Sequence, residues 1–598
     1  MSDKNIVDLV RKMEDDDQIG NTTISKYVTY SQRENIEKID AYANSKHVSG
    51  EKDSFGRDKP FFNIVTSAIN IWYRATAINR SKIKVKATKG TQIMLSFSAT
   101  LLIQQWMRKT KFGIFLQEWG KALAKYGSSV VKFVEKNGEL YSEVVPWNRM
   151  ICDPVDFDSN PRIEVLWLTP AQIRANKGYD QDLVEKLIEA VGSRETADGQ
   201  KKDNKEGYIK LYEIHGNMKL SYITQKDDDD DTYVQQMSVV SYIDKKDGKY
   251  DDYSLVSGRE KKDPYMITHL IKEEDRTVSI GAVENLFESQ WMINHNKKII
   301  KDQLDLASKL FFQTSDGNFI GQNVLDSLEN GQILIHQPNQ PLTNVANRAD
   351  IGALQAYGNE WISNADRING IAESMTTRAK SGTAWRQTEA ELAEAHSLFE
   401  LMTEGKGLYL DDMFREYIIP HIKKKMDTSE EISEILEEHQ IRKIDSMYVP
   451  NEAKRRSNNK FKEMTLAGKV PQKGEQQMFI EEETANIQNG LNAQGNQRFI
   501  KPSDISDKTW KEVLKDIEWD MEIDITGEHK DTNAVMTTLN NLFQSIVGLQ
   551  GQPMPEDAKL VFNKILEETG VISPIEIKEA QNAQQPIPAP EAPAPIPA

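Results

Sequence analysis

Residues 112–154, FGIFLQEWGKALAKYGSSVVKFVEKNGELYSEVVPWNRMICDP, change hydrophobic period halfway along, and that change decides the fold class. Phe112, Phe115, Leu116, Trp119, Leu123 and Tyr126 recur at intervals of three and four, which is one face of a helix. After Gly127 the period drops to two. Residues 130–134 and 140–145 then read as the arms of a hairpin, because Asn137-Gly138 supplies the positive φ angles of a type I′ turn. Pro146, Pro154 and Pro161 set the turns that close the unit. A helix feeding straight into a hairpin predicts a mixed α+β fold.

Working outward, helices dominate. Upstream, Ile93, Met94, Phe97, Leu101 and Trp106 give a helix over 91–108. Residues 1–60 form a polar arm, helical in part but expected to contribute no large core. Downstream, Thr169 caps a helix over 169–191 with Pro170 at its first position. Residues 208–216, 219–225 and 232–243 read as strands around the acidic run Asp227, Asp228, Asp229, Asp230 and Asp231. One helix over 281–313 would be roughly 50 Å long. Residues 332–338 read as a short strand, and helices follow over 351–376 and 384–425. Residues 427–515 read as short helices joined by loops, an insertion. The cleanest alternation lies at 516–525, DIEWDMEIDI, with helical patterns again over 532–549 and 556–568. The last 13 residues contain six prolines and read as an extended tail.

At 598 residues the chain is too long for one ordinary domain. Its 75 basic against 92 acidic residues give a net charge of −17, so it has no global positive field for nucleic acid. A single cysteine, Cys152, excludes an intramolecular disulfide and every multi-cysteine metal motif. No apolar run approaches the roughly 20 residues of a membrane span, and the amino terminus lacks a signal-peptide pattern.

The search for chemistry finds no phosphate-binding G-x-x-x-x-G-K-[ST] loop and no H-E-x-x-H helix. GKGLYL at 405–410 sits in a helical pattern at the wrong spacing and reads as helix surface. His269, His295 and His336 lie beside apolar residues, where satisfied, partly buried imidazoles are expected. Asp153, Asp156 and Asp158 offer oxygens on a turning backbone, but without the glycine and distal glutamate of a calcium loop; a hydrogen-bonded turn is the expected structure. Asp516, Glu518, Asp520, Glu522 and Asp524 share one face of a strand, with same-face neighbours about 7 Å apart. That face is open to several readings: solvated negative charge, basic partners from adjacent strands or subunits, a cation site, or a wall facing another polyanion. Lys454–Arg456 and RAKSGTAWR at 378–386 are the notable basic clusters. No nucleophile, general base or cofactor box emerges, which argues against an enzyme and implies no cofactor.

DRINGIAESMTTRAKSGTAWRQ at 366–387, followed by the long helix AELAEAHSLFELMTEGKGLYLDDMFREYIIPHI, resembles the portal (head-to-tail connector) proteins of tailed bacteriophages, closest in wording to the crAss-like group. GKALAKYGSSVVKFVEKNGELYSEVVPWNRMICDP is similar to the helix, glycine, hairpin and Asp-Pro of a portal wing. SIGAVENLFESQWMINHNKKIIKDQLDLASK is similar to the Gly-led helix after the clip, and IEWDMEIDITGEHKDTNAVMTTLNNLFQ to the late strand and helix before the crown. These matches span 112–548 in order; 427–515 departs from the pattern.

The resemblance implies a helix-dominated α+β subunit with wing, stem, clip and crown, closing into a ring, normally a dodecamer. It implies a wing over 61–168, a first stem helix over 169–192, a clip over 193–278, a stem helix over 279–313 and a wing over 314–426. The insertion at 427–515, a late strand and crown over 516–580 and a tail over 581–598 complete the chain. The implied location is the portal vertex of the virion capsid, after assembly in the host cytoplasm, without membrane insertion. The implied partners are further copies of the chain, the major capsid protein, the terminase packaging motor, tail adaptors and double-stranded DNA. Residues 376–383 would form the tunnel loop, bringing Arg378, Lys380, Ser381 and Gly382 near DNA, with Arg386 just beyond. Asp516–Asp524 would then be an acidic lumen or a subunit contact, and Asp227–Asp231 an acidic clip loop. DNA carries one negative charge per roughly 1.7 Å of axis, so an acidic conduit with few mobile basic residues favours sliding over arrest. The alternatives are another virion scaffold or tail adaptor, or a metal-dependent nucleic-acid enzyme using the carboxylate-rich segments.

Overall fold

The helix-to-hairpin switch folds as its period dictates. Phe112–Tyr126 is a helix that buries Phe112, Phe115, Trp119 and Leu123. It ends at Gly127, whose φ of 76° lets its N–H close back onto the Leu123 carbonyl at 2.8 Å. The chain turns at once into antiparallel strands Ser128–Lys136 and Glu139–Val145. Between them Asn137 and Gly138 have φ of 53° and 77°, as a type I′ turn requires.

The computed structural model describes residues 5–20, 22–25, 28–54, 56–78, 83–87, 93–159, 161–197, 207–224, 232–245, 250–307, 311–313, 315, 317, 338–340, 343–345, 351–371, 385–428, 432–435, 438–468, 473–493, 497–500 and 519–523. The chain divides into two units, 1–525 and 526–598, and every described residue belongs to the first. The fold is mixed α+β with helix predominant.

Two antiparallel sheets organise the first half. Tyr265–His269 joins the hairpin to make a three-stranded sheet. Tyr250–Arg259, Tyr233–Asp244, Ile209–Lys219, Arg162–Leu168 and Met150–Ile151 make a five-stranded one in that order. Successive residues of its central strand feed opposite cores, as a two-residue period demands. Ile209 and Leu211 pack beneath helices Pro170–Ala175 and Gln181–Ala197, while Tyr212 and Ile214 pack under Ile6, Val7 and Val10 of the Ile6–Ile19 helix. The main core joins Ile36 and Ile39 to the Phe112–Tyr126 helix, the three-stranded sheet and Trp385–Met413.

Several expectations need correction. The first 60 residues do build core: the helical spacing of Val7 with Val10 and of Ile36 with Ile39 carries those four inward. The helix expected over 169–191 is two, broken at 176–180; its Thr169 cap is present as a full capping box with Gln172. Residues 221–224 form a helical turn rather than a strand. The helix expected over 281–313 runs only over Phe287–Ala307, because 281 is packed as irregular backbone and the β-forming Phe311–Gln313 pairs with Thr343–Val345. Its length is therefore roughly 32 Å. The helix expected over 384–425 is Trp385–Met413, a π turn at Phe414–Ile418, and Ile419–Thr428. The segment 427–515 holds two long helices, Glu438–Leu466 and Lys473–Ala493, packed through Val449, Ala453 and Ile487. Strands Ile432–Ile435 and Gln497–Ile500 pair next to them. Residues 332–337 lie outside the described residues.

Candidate functional site

Gly127 and Gly281, each punctuating a different stretch of sequence, meet backbone to backbone. A Cβ at Gly127 would lie 2.6 Å from the Ile280 carbonyl, and one at Gly281 would lie 2.5 Å from the Gly127 nitrogen. Ala282 N–H donates to the Ala124 carbonyl across the same crossing. This crossing ties the chain entering the Phe287–Ala307 helix to the helix–hairpin unit.

Further along the hairpin strand, where Lys132 pairs with Tyr265, a buried charge network fastens the two sheets together. Lys132 of the hairpin donates to Glu164 and Glu213 of the five-stranded sheet, each at 2.7 Å. His215 sits between Glu213 and Glu260 at 2.9 and 2.8 Å, and Tyr265 donates to Glu164 at 2.8 Å. Burial by itself would lower the His215 pKa, but hydrogen bonds to two carboxylates raise it to about 9. Burial would raise Glu213, yet His215 and Lys132 hold it at about 2. An imidazolium locked by two carboxylates has no free lone pair, so the network holds the sheets rather than moving protons.

The residues singled out from sequence fall as follows. Arg378, Lys380, Ser381 and Gly382 lie in 372–384, outside the described residues, as do Asp227–Asp231 and Asp516, Glu518 and Asp524. Arg386 is the second residue of the Trp385–Met413 helix. Strand Trp519–Ile523 pairs antiparallel with Ile83–Ala87, setting Asp520 opposite Lys86 and Glu522 opposite Lys84. These two acidic positions thus have basic neighbours on the adjacent strand.

Asp153 accepts from the Val155 and Asp156 backbone N–H groups at 2.8 and 3.1 Å, the hydrogen-bonded turn expected. Among the described residues no group of three or more His, Cys, Asp and Glu is arranged to hold a metal. His269 is buried and hydrogen-bonded to Ser279 at 2.8 Å; burial lowers its pKa to about 4. His295 departs from expectation, being exposed and stacked on Trp291. His336 is outside the described residues. Arg455 and Arg456 pair with Glu452 on a helix surface. Burial pushes the Cys152 thiol up to about 12, so it is no nucleophile.

The chain matches no protein-family model and no curated protein. Among the described residues no helix is long and apolar enough to cross a membrane.

A further group, besides His295, was read wrongly from sequence. Lys406, in the GKGLYL expected at the helix surface, is 2% exposed. Its Nζ donates to the Thr76 carbonyl at 2.9 Å and lies 5.1 Å from the centre of the Trp119 ring. Gly120 makes the room: a Cβ there would meet Nζ at 3.1 Å and the Tyr73 ring at 3.0 Å. Burial lowers its pKa to about 7. The amine forms part of the wall of a cavity of about 570 Å³ with Ile78, Met107, Ile114 and Leu116, and with Arg108 and Lys111 also on the lining. The available signal was its position in the stripe Phe399, Met402, Lys406, Leu410, Met413.

Proposed function

We propose that this chain is the subunit of a portal. Its copies would close into a ring at one capsid vertex of a tailed-phage virion, and double-stranded DNA would pass through the opening during packaging and ejection. The observation that carries this reading is the Gly127–Gly281 crossing. The helix–glycine–hairpin stretch and the Gly-led helix stretch, separate in sequence and both resembling portal segments, pack into one rigid joint through those two glycines. Such a joint suits a subunit that transmits load between a clip and a wing.

On this reading the mechanism is geometric. Ring closure makes the passage, the terminase motor supplies force, and the same ring later docks tail adaptors while the major capsid protein surrounds it. The loop 376–383 would supply the DNA contacts through Arg378 and Lys380. The lysine positions opposite Asp520 and Glu522 favour an internally balanced strand pair over a bare acidic wall at those two residues.

The test is electron-microscope class averaging of the purified protein, with mass measured on the same sample. Rings of about twelve copies with a central opening are expected. A discrete monomer or dimer, persisting when capsid protein is supplied, would overturn the reading. Within assembled capsids, replacing Arg378 and Lys380 with Ala should alter DNA packaging or retention without loss of the ring.

A further inference from the structure

Residues 57–62 are pinned to the Phe287–Ala307 helix at several points. Asn294 Oδ1 accepts from the Phe62 N–H at 2.9 Å, and Gln290 Nε2 donates to the Phe62 carbonyl at 2.7 Å. Farther along, Lys301 Nζ donates to the Asp58 carbonyl and Arg57 pairs with Asp302, both at 2.9 Å. Beside these pins, residues 42–49 and the helix do not close up. They leave a cavity of about 630 Å³, within the range of small-molecule sites.

The helix side of that cavity carries its chemistry in a fixed order. Glu288, Trp291, His295 and Lys298 all line it, on one face because they are spaced by three and four. Trp291 is 53% exposed and stacks on His295, the rings 5.3 Å apart and 3° from parallel. Among the described residues no hydrogen bond or ion pair engages Glu288 or Lys298. The other two lysines on the lining are committed: Lys38 to Glu34 at 2.7 Å, and Lys59 to the Ser49 and Gly50 carbonyls at 3.2 and 2.7 Å. Also on the lining, Tyr42 and Phe287 meet edge to face at 5.7 Å. His47 Nε2 is shut from solvent with no hydrogen-bond partner among the described residues, an uncommon state for a buried polar atom.

This order of groups selects an occupant. A carboxylate accepts from an amino group, the Trp291 ring offers its face to a planar ring, and an ammonium takes a phosphate. A purely apolar ligand would desolvate both charges without return, and a simple anion would leave the Trp291 face unused. Three lysines against one carboxylate make the lining net positive, which favours an anion. We propose that this cavity binds a nucleotide, with its base on Trp291, the amino edge of the base toward Glu288 and the phosphate on Lys298. The source is either a free nucleotide or an unpaired residue of a strand. The site lies within one subunit and does not depend on the ring reading.

The experiment is isothermal titration of the full chain with dCMP, dTMP, deoxycytidine and a short oligodeoxycytidine. Wild type is compared with Trp291→Ala, Lys298→Ala and Glu288→Gln. None of these side chains is buried, and circular dichroism verifies that the variants fold. One dCMP per chain is expected, bound more tightly than dTMP, which presents a carbonyl where cytosine presents an amino group. Trp291→Ala should weaken dCMP about tenfold, equivalent to 1.4 kcal/mol. Lys298→Ala should weaken dCMP by a similar factor and leave deoxycytidine unchanged, while Glu288→Gln should erase the preference over dTMP. An oligomer that binds tighter than dCMP, with the same dependence on Trp291, identifies a strand as the source; equal or weaker affinity identifies the free nucleotide. No binding of either at millimolar concentration, binding indifferent to Trp291→Ala, or equal competition by a blunt duplex, whose bases cannot reach Trp291, would overturn the inference. None of these outcomes bears on ring formation.

Discussion

Replacing Lys406 with Met should stabilise the isolated chain. The native amine titrates at about 7 against its ordinary 10.5. Between those values the unfolded chain holds the proton more firmly than the native one, so native stability rises with pH across that window. At pH 7 the shift corresponds to a destabilisation of about 4 kcal/mol, falling to about 2 kcal/mol at pH 9. Met keeps the unbranched shape and removes this penalty, but it leaves the Thr76 carbonyl without the Lys406 donor, at a cost of about 1–3 kcal/mol. The net gain is about 2 kcal/mol at pH 7 and close to nothing at pH 9. Urea unfolding of the unassembled protein, followed by tryptophan fluorescence, measures it, with Trp119 lying against the substituted group. A variant less stable than wild type at pH 7, or a gain that stays level from pH 7 to 9, would refute the argument that the amine is buried at electrostatic cost.

Other substitutions probe the joint and the sheets. His215→Gln should cost about 3 kcal/mol by breaking a buried ionic network. His215 is raised to about 9, so its contribution is complete below pH 6.5 and lost as pH rises through 9; the wild-type-minus-variant difference in denaturation should shrink over that window. Gly281→Ala should cost more than about 3 kcal/mol, since its Cβ would lie 2.5 Å from backbone at both Gly127 and Lys125. Gly258→Ala, with open space around it, should change the melting temperature little, and equal effects of the two would sink the crossing argument. Lys84→Glu with Lys86→Glu would set like charges opposite Glu522 and Asp520, a loss of roughly 1 kcal/mol per pair. Faster amide exchange across Trp519–Ile523 is the expected readout, and unchanged exchange would count against the register.

The parts of this fold legible in sequence are those fixed by neighbours a few residues away. The hairpin turn followed from Asn137-Gly138, the cap from Thr169-Pro170, and the helix of 112–126 from its apolar spacing. Where expectation failed, a distant partner decided. Residues 6–10 look like a solvated arm until a sheet built from 150–259 comes down on Val7 and Val10. Residues 311–313 continue a helical pattern until Thr343–Val345 offers them a strand. The pairing of 519–523 with 83–87 spans more than 430 positions, and no local period announces it. Arg378 and Lys380 stood out in the sequence as a basic cluster around Ser381-Gly382, and their assignment to a tunnel loop came from the resemblance.

Lys406 shows how a local rule can mislead and still contain the answer. Lysine between two glycines in a charged helix reads as surface, because a surface lysine is the common case. Yet Lys406 falls four residues after Met402 and four before Leu410, on the stripe that must face the core. A charged residue in that register has few outcomes: it pairs with an acid, it reaches water, or it loses its proton. The described contacts contain no acid, the side chain is all but sealed, and Gly120 has given up a side chain to admit the amine. A helix that served only to fill the core would be more stable with Met or Leu there. The amine therefore stays in the core at an electrostatic cost, held by the Thr76 carbonyl and the face of Trp119.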